Sequence, residues 1–322
     1  MTFIPLPTRL LTGMLSTVVV LCLVSCASNG GMRFTPTPDA SSQHVTHHIH
    51  NVFIIMMENH NWTGNGSLNI QGNPEAHYIN DVLVPDGAHP SNYNNPPHIH
   101  PSLPNYLWLE AGTNFGILND NHANGVNTQT TNLHLVTLLK NAGVSWRSYD
   151  AWSTGNTCLL DQDHTPFVFF DDVTNHHDRH SQYCIDHVRP IGELDRDLAD
   201  GKTANYSFIV PTLCQAMHSY CGKNQIKAGD EWLSGVVPKI LDSSAYKDGG
   251  VLFIIWDEAT RGDGPVPMLI LSPYAKKNGF TNHVYYDHSS TLRTVEEILG
   301  VGPLLRNAAN EQDLRDFFTV FP

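Results

Sequence analysis

Two short apolar runs constrain this chain more than anything else in it. Val52-Phe53-Ile54-Ile55-Met56-Met57 runs into Glu58-Asn59, and Val251-Leu252-Phe253-Ile254-Ile255-Trp256 runs into Asp257-Glu258. Continuous apolar runs of this length, rich in β-branched residues, predict strands buried on both faces, as in a parallel sheet. In open α/β sheets, ligands bind beyond the carboxyl ends of the strands. Three carboxylates and a carboxamide delivered there make an oxygen-rich site, and such donors suit a divalent cation.

Further apolar runs lie at 144–149, 206–210 and 268–271, with helical patterns between them over Asn132 to Asn141, Asp230 to Leu241 and Ser289 to Leu299. Gly143 stands where a helix stop belongs. The alternation predicts an α/β fold: a mainly parallel central sheet with helices on both faces. Residues 60–100 and 153–200 carry little regular pattern. Long irregular insertions in a compact domain are more often functional than accidental.

The chain has 18 Lys and Arg against 31 Asp and Glu, a formal net charge of −13. That balance argues against nucleic acid as a partner, which calls for a basic footprint. Nineteen histidines are an unusual number, so any single one is by default structural or exposed.

Arg9 followed by the apolar stretch Leu10 to Val24 and then Ser25-Cys26 reads as an export segment, too short for an ordinary spanning helix. Leu23-Val24-Ser25-Cys26 resembles a bacterial lipobox. On that reading residues 1–25 are a lipoprotein signal peptide, Cys26 carries lipid, residues 26–48 are a tether, and 49–322 form one domain. The mature protein would then sit at the cell envelope, on the outer membrane, or be secreted. A plain secretory peptide is the alternative. Four further cysteines remain, Cys158, Cys184, Cys214 and Cys221. An even number in an oxidising compartment predicts two disulfides. Of the possible pairings, Cys158–Cys184 and Cys214–Cys221 close local loops and are favoured.

The segment His98-Ile99-His100-Pro101-Ser102-Leu103-Pro104-Asn105-Tyr106 predicts a helix with Pro104 in its first turn, running to about Glu110. Ser102 then falls just before the helix. It is either an N-cap or a nucleophile facing an anion-binding helix N-terminus.

Four segments occur in order: Met57-Glu58-Asn59, His100 to Tyr106, Trp256-Asp257-Glu258 and Asp287-His288-Ser289-Ser290. With His164-Thr165-Pro166-Phe167, Phe208-Ile209-Val210-Pro211, Met217-His218 and Leu271-Ser272-Pro273-Tyr274, they resemble the phosphoesterase family of secreted acid phosphatases and phospholipases C, within the alkaline phosphatase superfamily. The resemblance implies an alkaline-phosphatase-like fold. It implies metal ligands at Glu58, Asn59, Asp257 and Glu258, a nucleophile at Ser102, and phosphate-pocket histidines at His164, His218 and His288. Asp287 is alternatively a simple helix cap. Asp230 and Glu231 are read as the start of a helix. Gln215-Ala216 departs from the family's Asn-Asp before Met217-His218, and Ile99 stands where Thr is usual.

The expected function is therefore metal-assisted hydrolysis of phosphate monoesters through a phosphoserine, using a divalent ion of unassigned identity. Two alternatives stand beside it. One is a phospholipase-C-type phosphodiesterase acting on phospholipid headgroups. The other is a non-catalytic lipid-anchored binding protein that keeps the fold. The expected partners are a small phosphorylated substrate or a lipid headgroup, with membrane contact through Cys26.

Overall fold

The computed structural model describes residues 47–123 and 125–322. The predicted export segment, Cys26 and nearly all of the tether lie outside the described residues. The last two tether positions pack on the domain: His47 Nδ1 meets the Ile298 carbonyl at 2.8 Å, and the His48 N–H donates to the Pro322 carbonyl at 2.9 Å.

Among the described residues eight strands form in chain order: β1 Asn51–Met57, β2 Tyr93–Asn94, β3 Trp146–Asp150, β4 Val188–Pro190, β5 Tyr206–Val210, β6 Gly250–Trp256, β7 Met268–Leu271 and β8 Tyr286–Asp287. Six of them build the central sheet in the order β4-β3-β5-β1-β6-β7. All neighbours are parallel except the edge strand β7, which is antiparallel to β6. Both apolar runs are central strands, buried along their whole length. They lie side by side because no residue in either offers water a polar side chain until the strand ends. β2 and β8 form a separate two-stranded parallel ribbon, of which β2 lies within the irregular segment 60–100. Strands of two or three residues carry too little alternation to be read from sequence.

Among the described residues the longest helices are α1 Ser102–Ala111, α2 Leu135–Ala142, α3 Gln225–Asp242 and α4 His288–Leu299. α1 begins earlier than expected: Pro101 is the N-cap and Ser102 the first helical residue, so the Ser102 hydroxyl is not spent on capping. α1 stops at Gly112 (φ +67°), where a Cβ would stand 2.5 Å from the Leu305 carbonyl oxygen. α2 stops at Gly143 as predicted. α3 starts a turn before the predicted Asp230 because the Asn224 side chain accepts from the N–H groups of Ile226 and Lys227. Asp230 therefore lies inside the helix and accepts from the N–H groups of Tyr78 and Ile79, both at 2.9 Å.

Both favoured disulfides are present, Cys158–Cys184 and Cys214–Cys221. Among the described residues no helix is long and apolar enough to cross a membrane.

Candidate active site

Register alone brings the two carboxylate pairs together. Met57 pairs with Trp256 across β1 and β6, and the Asp257 N–H donates to the Met57 carbonyl at 3.0 Å. Glu58 and Asp257 therefore leave adjacent strands side by side. Asn59, with φ +26°, turns the chain back. Its N–H donates to Asp257 Oδ1 at 3.1 Å and its Nδ2 to Glu258 Oε1 at 3.0 Å. A short amide side chain tolerates that backbone region better than most.

α1 lies against this corner with Ser102, Asn105 and Tyr106 on one face, the helical i, i+3, i+4 arrangement. Ser102 Oγ donates to Glu58 Oε2 at 3.1 Å. The Tyr106 hydroxyl donates to Glu58 Oε1. Asn105 Nδ2 donates to Glu258 Oε2 at 3.2 Å, and His100 Nδ1 meets the same oxygen at 2.6 Å. His100 Nε2 continues to Asp263 Oδ1 at 3.2 Å. Tyr106, Asn105, His100 and Asp263 were not singled out from the sequence. The i, i+4 spacing of Ser102 and Tyr106 was the available signal for the tyrosine.

Glu58, Asp257 and Glu258 are all buried, and Asp257 is fully so. Burial pushes the Glu58 carboxyl up to about 8, and likewise Glu258, which the neighbouring Asp257 charge raises further. Burial, then the Glu58 charge, holds Asp257 far above the usual carboxylate range. Three crowded buried carboxylates favour protons or a cation. Among the described residues no three His, Cys, Asp or Glu side chains form a ready-made metal cluster, since Glu58 faces Ser102 and Tyr106 while Glu258 faces His100. Yet Asp257 Oδ2 and Asn59 Oδ1 are buried without any hydrogen-bond partner. Orphaned oxygens beside anionic ones fit a hard divalent cation.

The three histidines occupy different places. His164 Nε2 lies 3.3 Å from Glu58 Oε1 and its Nδ1 lies 3.2 Å from Asp163 Oδ1, with the ring stacked on Trp152. His218 is exposed on the Cys214–Cys221 loop, Nδ1 at 3.1 Å from Ser219 Oγ; burial of its base and the nearby His164 lower its pKa. His288 is wholly buried. Its Nε2–H donates to the Asp257 carbonyl and its Nδ1 accepts from the Tyr93 hydroxyl. Burial pushes this imidazole down to about 4. The resemblance implied a pocket-lining histidine, but with both nitrogens bonded inside the protein His288 stands behind Asp257 as a support. Asp287 is the cap of α4, closing a capping box with Ser290. Ala216, at the departure from the family pattern, serves the site only by its carbonyl, which accepts from the Glu58 N–H at 2.8 Å. Gln215 turns to Thr212. A cavity of about 720 Å³ between Lys140, Asp171 and Tyr183 shares none of these residues.

The model of the phosphoesterase family matches residues 93–302, more than half of the chain. The chain belongs to the phosphoesterase family. Membership goes with hydrolysis of phosphate or sulfate esters. The matched span holds Ser102, Asp257 and Glu258 but not Glu58 and Asn59, which reach the site through β1. No curated protein sequence matches the chain.

The fold is similar to that of several solved structures. A protein in the alkaline phosphatase superfamily from Vibrio parahaemolyticus is 14% identical, with a TM-score of 0.55 over 84% of this chain and 72% of its own. A putative sulfatase from Bacteroides thetaiotaomicron is 12% identical, with a TM-score of 0.56 over 84% and 74%. The phosphonate monoester hydrolase of Agrobacterium radiobacter is 14% identical, with a TM-score of 0.51 over 84% and 77%. At such identities the likeness speaks for the fold alone.

Proposed function

We propose that this phosphoesterase hydrolyses phosphate monoesters in the manner of an acid phosphatase, through a phosphoserine on Ser102. The observation that carries the reading is the Ser102 hydroxyl at the first position of α1, hydrogen-bonded to a carboxylate that shares one buried corner with Asp257, Asn59 and Glu258. A helix N-terminus favours an incoming anion.

Glu58, Asn59, Asp257 and Glu258 are the residues that would hold a divalent cation, which when bound offsets their charge and favours the ionised serine oxygen. Kept ionised by such a cation, Glu58 would lie on the path of the Ser102 proton and accept it as Oγ attacks phosphorus. Tyr106 and His164 fix the other Glu58 oxygen. His218, at the open side, supplies a proton to the departing alkoxide; such assistance is worth about 10²–10⁴-fold. Water then cleaves the phosphoserine. His100 and Asn105 orient Glu258, and His288 holds the Asp257 backbone.

The test is turnover of p-nitrophenyl phosphate across acid to neutral pH, with and without chelator and added divalent ions, joined to acid-quench detection of phosphoserine. Label on Ser102, lost in Ser102→Ala together with roughly 10³-fold or more of turnover, supports the reading. Wild-type-like turnover in Ser102→Ala removes Ser102 as nucleophile.

A further inference from the structure

The N-terminus of α1 is already partly occupied by an anion of the protein's own. The N–H of Leu103, immediately after the proposed nucleophile, donates to Asp120 Oδ1 at 3.0 Å. Asp120 comes from the loop that follows α1, and Pro104 has no N–H to add. Asp163, His164 and His218 act on the same carboxylate. Burial and Asp163 raise its pKa, while the Leu103 N–H and the two histidines oppose them.

Fixed positive charge is scarce here. Glu58 is bonded to Ser102, Asp257 and Glu258 share its corner, Asp120 is bonded to the Leu103 N–H and Asp163 to His164; the ion pairs these groups make among the described residues are with His100 and His164. No Lys or Arg takes part. Five carboxylates outnumber the charge that one divalent cation would bring. A second negative charge on a phosphoryl group at Ser102 would thus meet Asp120, bonded to the very next N–H of the same helix N-terminus.

We propose that Asp120 sets the charge class of the substrate, selecting phosphate esters that carry a single negative charge over dianionic ones. The inference rests on the Ser102 reading above and deepens it. Two sources share that chemistry. A phosphodiester is a monoanion throughout the working range. A phosphomonoester becomes one below its second pKa of about 6.

The experiment compares p-nitrophenyl phosphate with methyl p-nitrophenyl phosphate, which has the same leaving group, in wild type and Asp120→Asn near neutral pH. Asparagine keeps an acceptor for the Leu103 N–H and drops the charge. The expected result is a rise of about tenfold in kcat/KM for the dianionic monoester relative to the diester, mostly through KM. An unchanged ratio, with both esters still turned over and Ser102 still labelled, overturns the proposal and leaves the nucleophile standing. No turnover of either ester and no label in wild type overturns both.

A second measurement needs no variant. In wild type the monoester-to-diester ratio of kcat/KM should fall about tenfold per pH unit above about pH 6. A flat ratio overturns the proposal. If the monoester draws level only in acid, the protonated monoester is the source; if the diester leads throughout, diesters are.

Discussion

His288 holds Asp257 by the backbone: its Nε2–H donates to the Asp257 carbonyl oxygen at 2.5 Å, while its Nδ1 accepts from the Tyr93 hydroxyl at 2.9 Å. The Tyr93 hydroxyl in turn meets Thr291 Oγ1 at 2.7 Å. The chain of bonds ties the ribbon strand β2, the start of α4 and the end of β6 into one unit. His288→Ala should cost about 2 kcal/mol of stability, because it strands a buried carbonyl and a buried hydroxyl. His288→Gln, which can restore one bond, should recover part of it. Turnover should fall by less than in Ser102→Ala, since the imidazole positions and does not transfer a proton. Urea unfolding beside steady-state kinetics checks this. A His288→Ala variant as stable as wild type but as inactive as Ser102→Ala would contradict the assignment.

The carboxylate corner should trade stability for function. Without a cation, Asp257 is buried beside Glu58 and Glu258, and the crowding opposes folding. In the presence of chelator, Asp257→Asn should therefore unfold at higher denaturant, by about 1–2 kcal/mol near neutral pH. Added divalent ion should raise the stability of wild type, by about 2.7 kcal/mol at a hundred times its Kd, and leave Asp257→Asn nearly unmoved. Thermal melts with and without metal read both effects. An equal metal shift in the two proteins would show that the ion binds elsewhere.

Glu296 makes a similar prediction far from the chemistry. Its Oε1 accepts from the Leu305 N–H at 2.8 Å, its Oε2 is buried without a partner, and burial pushes its pKa up to about 8. The folded state thus prefers the protonated acid. Its favourable contribution is complete below the unfolded value near 4.5 and is lost as pH rises toward about 8. Glu296→Gln keeps the acceptor for Leu305 and removes the charge. It should stabilise the protein by roughly 1–3 kcal/mol at pH near 8 and by little at pH near 4.5. Denaturation curves at the two pH values decide it. A variant less stable at the higher pH would show that the carboxylate is charged and compensated.

Much of the frame was legible from residues alone. The buried runs at 52–57 and 251–256 named the central strands because nothing but a doubly covered strand suits such composition. Gly143 marked the end of α2, since only a residue at ease with positive φ can close that turn. Short elements such as β2, β4 and β8 left no periodic trace. The starts of α1 and α3 were misplaced because the capping positions, Pro101 and Asn224, were not taken as such. Among the candidate ligands, Glu58, Asn59, Asp257 and Glu258 could be named because a carboxylate or amide directly after a buried strand has few bland explanations. His288 could not be separated from His164 and His218. All three are imidazoles in short motifs, and burial is a property of their surroundings.

The sequence by itself determined the sheet, its two carboxylate-bearing strands and the serine-bearing helix, because these follow from local composition and periodicity. Only the tertiary structure decided what those groups do to one another. Register between β1 and β6 set Glu58 beside Asp257, and the seat of α1 turned Ser102 toward Glu58. The loop after α1 brought Asp120 to the Leu103 N–H, and α4 buried His288 behind Asp257. Charge, desolvation and hydrogen bonding act between residues distant in the chain, so their balance exists only once the chain has folded.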